Sequence, residues 1–275
     1  MPSLHEADEV NEHMMREIKT VAGFLAYYLR AVNRHGIQAP FAYQLNEAVF
    51  RSDETDGLHR DFELYRKQLL NDHSEIDLRD FGAGFAGTKF NRRTVSYVVR
   101  NSAKQPRYAR MLYRLVRFLK PGIILELGTS VGISTLYMAA GHTEAKVVTV
   151  EGCASTADLA RKTFSMFSGY DISLYEGRFE DVIPGQALTL PRIDFLFIDG
   201  NHRFQPTIDY VNLCFPLLSS GAVIVVDDIN WSQEMKEAWL SLKGDSRFTL
   251  SIDLYMMGLL FISKNLSKQD LVVRY

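Results

Sequence analysis

The stretch that most constrains the fold is the run Ile-Ile-Leu-Glu-Leu-Gly-Thr-Ser-Val-Gly at residues 123–132. Its first five residues are apolar except for Glu126, which is typical of a strand buried on both faces of a parallel sheet. Gly128 and Gly132 bracket a tight turn, and residues 133–140 have the apolar spacing of a short helix. Strand, glycine turn and helix open a nucleotide-type α/β fold, whose ligand lies over the turn and the helix N-terminus.

The turn and the strand after it also restrict the ligand. A dinucleotide fingerprint, G-x-G-x-x-G, needs its middle glycine so that the backbone can approach a pyrophosphate, and here that position is Ser130. The next strand, predicted at 146–150, is followed by Glu151, where a carboxylate can accept hydrogen bonds from both ribose hydroxyls. A ribose site without a pyrophosphate site predicts a nucleoside ligand.

The glycine turn carries a resemblance to a known family. It matches E/D-x-G-x-x-x-G, the first motif of the class I S-adenosylmethionine-dependent methyltransferases, and the sequence resembles that family here. The resemblance implies that S-adenosylmethionine is the cofactor, with its ribose on the carboxylate after the second strand. The turn residues expected to bind the cofactor are Glu126, Gly128, Thr129, Ser130 and Gly132.

A second turn follows the strand predicted at 172–175. In the catechol-type O-methyltransferases, which are small and metal-dependent, the corresponding turn begins with glycine and borders the adenine. The resemblance therefore places Gly177, Arg178 and Phe179 beside the adenine, with Phe179 as an apolar wall. The alternative is an ordinary turn between a strand and a helix.

The strand predicted at 194–198 ends in Asp199, and His202 follows just before a helix. A charged residue at the tip of a buried strand is more often part of a site than of the scaffold. The resemblance gives Asp199 a catalytic role and contacts with cofactor and metal. Where this sequence has His202 the family has a lysine as general base, so His202 is the expected base near neutral pH. The alternative is a solvent-facing or capping histidine.

The strand predicted at 222–226 is followed by Asp227 and Asp228. The family places Asp-Asn here as two of three metal ligands, and Asp-Asp occurs in its sugar-modifying relatives. The resemblance therefore implies that Asp199, Asp227 and Asp228 hold a divalent cation, and oxygen ligands make magnesium the expected ion. No lysine or arginine is directly adjacent to them in the sequence, so a cation is the simplest way to keep all three ionised. The alternative is that Asp228 caps the following helix.

Strands and helices alternate from residue 121 onward, which favours a parallel sheet. The predicted strands are 123–127, 146–150, 172–175, 194–198, 222–226, 248–253 and 258–263, with helices at 133–141, 154–167, 204–218 and 231–242. We therefore expect an α/β fold with a Rossmann-like, doubly wound, mostly parallel sheet of seven strands. Its last two strands form an antiparallel hairpin, as in the family, and the methyltransferase domain spans residues 121–275.

Residues 1–120 are expected to form a helical cap or lid. An apolar stripe over residues 11–34 predicts one helix, which docks on its own chain or, in a homodimer, on a second subunit. Further helices are predicted at 60–72 and 107–120. The glycine-rich stretch 82–87 is a flexible connector or a lid over the active site. The members of the stripe are Met14, Ile18, Val21, Leu25, Tyr28 and Val32.

Composition excludes several classes of protein. The 275 residues are 47% hydrophobic, enough for one large core or for one core plus a cap, and the net charge of −2 gives no bulk attraction to nucleic acid. Two cysteines give no disulfide framework, the first residues do not have the pattern of a signal peptide, and the apolar run at 21–28 is too short for a bilayer. We expect a cytoplasmic protein that acts on a small molecule, without nucleic-acid or membrane partners.

The expected reaction is metal-assisted O-methylation of a small hydroxylated acceptor, in which His202 takes the hydroxyl proton. One alternative is a non-catalytic nucleoside-binding or scaffold protein of the same fold. Residues 128–132 also satisfy G-x-S-x-G, the nucleophile elbow of α/β-hydrolases, with Ser130 as nucleophile. That reading leaves Asp199 and His202 as acid and base, which are too close in sequence for two separate loops.

Overall fold

A computed structural model of the chain describes residues 22–32, 37, 39–52, 57–78, 91–186, 190, 192–263 and 267–275. Its strands are β1 (Glu75–Leu78), β2 (Asn91–Thr94), β3 (Ile123–Leu127), β4 (Lys146–Glu151), β5 (Asp171–Glu176), β6 (Ile193–Ile198), β7 (Leu218–Asp227), β8 (Leu250–Asp253), β9 (Met257–Phe261) and β10 (Gln269–Val272). Its helices are α1 (described over 22–30), α2 (Pro40–Leu45), α3 (Gly57–Leu70), α4 (Val95–Ser102), α5 (Pro106–Leu119), α6 (Ile133–Gly141), α7 (Ala154–Met166), α8 (Phe179–Gln186), α9 (Phe204–Cys214) and α10 (Gln233–Gly244).

The central sheet has eight strands in the order β10-β8-β9-β7-β6-β3-β4-β5. Strands β7, β6, β3, β4 and β5 run parallel, and β9 is antiparallel to both β7 and β8. The seven predicted strands and the closing hairpin are confirmed. The eighth strand, β10, was not predicted, because its four half-exposed residues lie at the sheet edge and have no apolar period.

The sheet alternates its side chains between two buried faces. Ile124 and Phe195 point into one core, which α5 and α6 cover. Leu125 and Leu196 point into the other core, which α9 and α10 cover. Helices on both faces explain why the strands are continuous apolar runs. The carboxyl ends of these strands are therefore where polar groups meet a ligand.

The predicted stripe is only partly described: Met14, Ile18 and Val21 lie outside the described residues, and Val32 is half-buried against the core. Tyr27 and Ala31 are buried, whereas Leu25 and Tyr28, which belong to the predicted stripe, are exposed. Tyr27 reaches the other end of the chain, where its hydroxyl donates to the carbonyl of Val273. Contacts with the chain's last residues, which lie far away in sequence, decide which face is buried. The expected homodimer through these helices stays a prediction.

The other helices before the sheet are only partly predicted. The helices expected at 60–72 and 107–120 are confirmed as α3 and α5, but α2, α4 and the β1–β2 hairpin were missed. Helix α4 is rich in β-branched residues, and buried contacts of Val95, Val98 and Val99 hold it in place. The boundary at residue 121 stays a prediction, and α2 shares one core with the sheet. The stretch 82–87 lies outside the described residues.

Among the described helices, none has both the length and the apolar character needed to cross a membrane.

Candidate active site

The glycine turn after β3 is fixed by close contact with the end of β6. Gly128 has φ +106°, and a Cβ there would lie 2.1 Å from the backbone oxygen of Asp199. Two backbone hydrogen bonds hold this contact: Gly128 N–H donates to Val150 (3.0 Å), and Asp199 N–H donates to Leu127 (2.8 Å). Glycine is therefore required by both the backbone angle and the space.

Glu151, at the end of β4, is tied to this turn. Its Oε2 accepts a hydrogen bond from the backbone N–H of Ser130 at 2.7 Å, and its Oε1 accepts from the N–H of Cys153 at 2.9 Å. Burial raises the pKa of Glu151, and these two N–H groups oppose the rise. The half-buried carboxylate thus lies beside the turn, where the ribose prediction needs it, and its contact with a ribose stays a prediction.

Glu126 lies beneath the turn. It is 0% exposed, and its carboxylate accepts hydrogen bonds from the hydroxyls of Ser134 (2.6 Å), Thr135 and Thr149 (2.7 Å). Burial raises its pKa to about 7, against the effect of these hydroxyl donors. With its oxygens engaged inside the protein, Glu126 fixes α6 and β4 around the turn. Its carboxylate is thus used inside the protein, and the cofactor contact expected of Glu126 stays a prediction.

The other predicted turn residues support the same local structure. Thr129 is buried, and its hydroxyl shares a hydrogen bond with that of Thr149. Gly132 has φ +82° and precedes α6, and a Cβ there would lie 2.6 Å from the ring of Phe164. Ser130 has φ +50°, a left-handed backbone conformation that is unusual for a residue other than glycine. The turn is therefore tightly packed against the protein on its inner side, whereas Gly128 and Ser130 stay half-exposed.

The turn after β5 approaches the end of β6 through Phe179. The backbone N–H of Gly177 donates to the carbonyl of Glu151 at 2.9 Å. The half-buried Phe179 ring packs so closely on Gly200 that a Cβ there would lie 3.0 Å away. This position agrees with an apolar wall beside the turn. The Arg178 side chain is exposed and donates to Glu180 at 2.9 Å, and its expected place beside the adenine stays a prediction.

The ends of β6 and β7 bring four predicted residues together with one that was not predicted. His202 Nε2 lies 3.8 Å from Asp199 Oδ1 and 3.7 Å from Asp228 Oδ2. Lys104 Nζ lies 2.9 Å from Asp199 Oδ1 and donates a hydrogen bond to Asp227 Oδ2. All five side chains are at least three-quarters buried, with Asp227 only 2% exposed. This end of the site is thus a buried cluster of three carboxylates, one imidazole and one ammonium.

The electrostatics of this cluster reflect burial and mutual repulsion. Burial raises the pKa of Asp199 well above its usual range, and the Lys104 charge opposes the rise. Burial and the charge of Asp227 raise the pKa of Asp228 to about 7. For Lys104, burial alone would lower the pKa, but the three carboxylates outweigh it and raise the pKa above its ordinary value. Lys104 is therefore a firmly protonated cation.

The part of the chain that contains these strand ends matches a known family model. Residues 125–229, which begin in β3 and end just after Asp228, match the family model described as a methyltransferase domain. This part of the chain is a methyltransferase domain, as the resemblance to the class I S-adenosylmethionine-dependent methyltransferases predicts. The matched residues include the glycine turn and every predicted site residue of β4 to β7.

Two curated relatives of this methyltransferase are O-methyltransferases. A rat protein named transmembrane O-methyltransferase homolog is 28% identical over 181 residues, which cover 55% of this chain and 70% of that protein. Catechol O-methyltransferase of Mycobacterium tuberculosis is 34% identical over 113 residues, covering 38% of this chain and 47% of that protein. The chain spans about half the length of most curated relatives it matches.

Solved structures show the same fold. The O-methyltransferase from Bacillus cereus in complex with SAH has a TM-score of 0.56 and 19% identity, over 80% of this chain and 96% of that chain. TomG from Streptomyces achromogenes, solved with SAM, has a TM-score of 0.56 and 19% identity, over 82% of this chain and all of that one. The expected α/β class is confirmed, with eight strands in place of seven.

The hydrolase alternative finds no support in this methyltransferase. The Ser130 hydroxyl is buried and has no hydrogen-bond partner among the described residues. His202 faces Asp199 and Asp228 instead. A nucleophilic serine needs a base within hydrogen-bond reach, so these residues do not form a triad.

The helix-capping alternative for Asp228 is also corrected. Helix α10 is capped by Ser232, whose hydroxyl accepts from the N–H of Met235 at 3.1 Å. Asp228 instead has φ +54°, and its side chain faces His202. A left-handed backbone at a non-glycine residue costs energy and is common at functional sites. This carboxylate therefore belongs to the cluster and not to the helix.

Lys104 is the residue that sequence reasoning missed. It lies in the short link between α4 and α5, and Pro106 at the start of α5 restricts Gln105 to an extended backbone (φ −59°, ψ 143°). In sequence it is 123 positions from Asp227. A single lysine between two helices matches no motif, and Pro106 signals only a helix start. Its role depends entirely on tertiary structure.

Proposed function

We propose that this chain transfers a methyl group from S-adenosylmethionine to the hydroxyl oxygen of a small acceptor. One observation carries the proposal: the imidazole of His202 lies between two carboxylates at the strand ends beside the glycine turn. A base next to a nucleoside-type turn is the arrangement that methylation of a hydroxyl group requires. The O-methyltransferase names of the curated relatives support the same reaction.

The residues of the cofactor side fit S-adenosylmethionine. The turn at Gly128 leaves no room for a side chain, the Ser130 hydroxyl is buried without a partner among the described residues, and the Glu151 carboxylate lies at the end of β4. Glu151 would accept the two ribose hydroxyls, and Phe179 would pack against the adenine. When bound, the cofactor supplies a methyl group on a positively charged sulfur.

The residues of the chain then position and deprotonate the acceptor. His202 holds the proton released by the hydroxyl at Nε2, where two carboxylate oxygens lie within 4 Å of it. The acceptor oxygen attacks the methyl carbon in line with the sulfur, which leaves as a neutral thioether. Positioning by the buried site and proton removal by His202 supply the acceleration.

Magnesium at Asp199, Asp227 and Asp228 stays a prediction from the family resemblance. Ligand atoms of Asp199, His202 and Asp227 lie within 4.8 Å of one another, which is close enough for a metal site. However, Lys104 Nζ already contacts carboxylate oxygens of Asp199 and Asp227. The donors as arranged do not fit a divalent ion together with this ammonium, so no step of the proposed reaction uses a metal.

The test is methyl transfer from labelled S-adenosylmethionine to a panel of catechols, phenols and sugar hydroxyls. We expect product with the wild type, and a rate lower by about 10²–10⁴-fold for His202→Gln, which keeps the size of the side chain but removes the base. Binding of S-adenosylhomocysteine should be the same in both proteins. Cofactor binding without transfer to any hydroxyl would favour the non-catalytic alternative, and an unchanged rate in His202→Gln would remove its role as base.

A further inference from the structure

Lys104 lies between two carboxylates that the family resemblance assigns to a metal. Its Nζ is 2.9 Å from Asp199 Oδ1 and donates to Asp227 Oδ2. The Lys104 side chain is 13% exposed and that of Asp227 is 2% exposed, so water contributes little to this contact. The ammonium is thus a buried countercharge bonded to both carboxylates.

A divalent ion would need the same oxygen atoms. Magnesium lies about 2.0–2.1 Å from its ligands and usually has one or two protein carboxylates among them. An ion in contact with these two oxygens would lie next to the ammonium, and two cations at that distance repel each other strongly in a buried site. Metal binding therefore requires Lys104 to leave.

The backbone that carries Lys104 is held from both sides. On one side the N–H of Ala103 donates to Val99 at 3.2 Å, and on the other the N–H of Ala109 donates to Gln105 at 3.0 Å. Val99 and Ala109 are 0% exposed. Two packed helices therefore deliver this lysine to the site, which distinguishes it from a surface lysine that happens to meet a carboxylate.

We propose that Lys104 is the resident cation of this site: it takes the position between Asp199 and Asp227 that a divalent ion would take, and the protein works without a metal. The cation part stands on this geometry alone, whereas the statement about turnover rests on the proposed function. Lys104 acts as a positioning residue, because the Asp199 oxygen that it holds also lies 3.8 Å from His202 Nε2.

The test is calorimetric titration of the full chain with MnCl₂, without cofactor or acceptor. Lys104→Met keeps the length of the side chain and removes its charge, and we expect it to bind manganese about 10–100-fold more tightly than the wild type. Lys104→Arg keeps a positive charge and should bind no better than the wild type. Adding Asp227→Asn to Lys104→Met should abolish the gained site, which separates it from binding elsewhere on the surface.

Each outcome decides the proposal. Gained manganese binding supports it, since a merely structural lysine would not hide a metal site. Failure of a folded Lys104→Met to bind manganese would overturn it, as would wild-type binding that Asp227→Asn removes. If Lys104→Met does not fold, the wild type decides: absence of binding, with methyl transfer unchanged by EDTA, supports the proposal. The titrations need no turnover, so failure of the proposed function would be seen separately.

Discussion

The site has two halves, one proposed to bind the cofactor and the other the acceptor, and these cofactor and acceptor halves stabilise their carboxylates in opposite ways. In the cofactor half, around the turn 128–132, Glu126 accepts hydroxyl donors and Glu151 accepts backbone N–H donors, all of them neutral. In the acceptor half, Asp199 and Asp227 face the ammonium of Lys104. One half therefore balances its charge with dipoles, and the other with a full opposite charge.

The two kinds of partner differ in how far they lie from their carboxylate in the sequence. The neutral donors of Glu126 and Glu151 lie within about one strand and helix of their carboxylate, at most 23 positions away. The charged partner of Asp227 comes from 123 positions away. Dipoles are present in every stretch of backbone, whereas a buried ammonium has to be brought to the site by the fold. The predictions below separate the two halves.

The largest expected effect is at the point where the halves meet. Gly128→Ala would place its Cβ 2.1 Å from the backbone oxygen of Asp199 at φ +106°, so we expect the free energy of unfolding to fall by about 3–5 kcal/mol. Gly221→Ala is the matched control, because no atom lies within 4 Å of a Cβ there. Urea denaturation measures both. Equal stability of the two variants would show that the halves are not in fixed contact.

The free energy of unfolding should depend on pH through Glu126 in the cofactor half, because its carboxylate has only neutral hydrogen-bond partners. The pKa of Glu126 is raised from 4.5 to about 7, so its protonated form contributes stability that is full below pH 4.5 and is lost as pH rises through 7. At one pKa unit per 1.4 kcal/mol, the stability difference between wild type and Glu126→Gln should shift by up to about 3 kcal/mol against wild type between pH 4.5 and 8.

The measurement is urea denaturation of both proteins across this range, where the titrating groups that do not interact with Glu126 cancel in the difference. A difference that does not vary with pH would show that Glu126 has the same protonation in the folded and unfolded states.

The smallest expected effect is on cofactor affinity. Glu151→Ala removes the carboxylate proposed to accept two ribose hydroxyls, so we expect a loss of about 1.5–3 kcal/mol, or roughly 10–100-fold in the affinity for S-adenosylhomocysteine. Glu176→Ala is the control, because Glu176 pairs with Glu151 in strand register but bonds Arg161 at the surface. Calorimetry gives both affinities. Unchanged affinity in Glu151→Ala would remove this residue from the site, and no binding by the wild type would end the cofactor assignment.

Much of the fold followed from the apolar runs of the sequence. A strand covered by helices on both faces has to be apolar at nearly every position, so runs such as those ending at Leu127 and Ile198 were readable in advance. Edge and surface elements were not. Strand β10 is half exposed, and α4 has β-branched residues that by themselves favour a strand. The structure of such segments is decided by tertiary contacts with the elements packed against them.

For the site, the sequence by itself determined the residues at the carboxyl ends of the parallel strands. The topology places those ends at one edge, and a glycine turn followed by acidic strand ends is a local pattern. Only the tertiary structure decided how the charges are balanced: Glu126 turned inward, Arg178 paired at the surface, and Lys104 joined Asp199 and Asp227. The physical reason is that hydrogen-bond geometry along a strand or turn is local, whereas the electrostatic partner of a buried charge can come from any part of the chain that packing brings within a few ångströms.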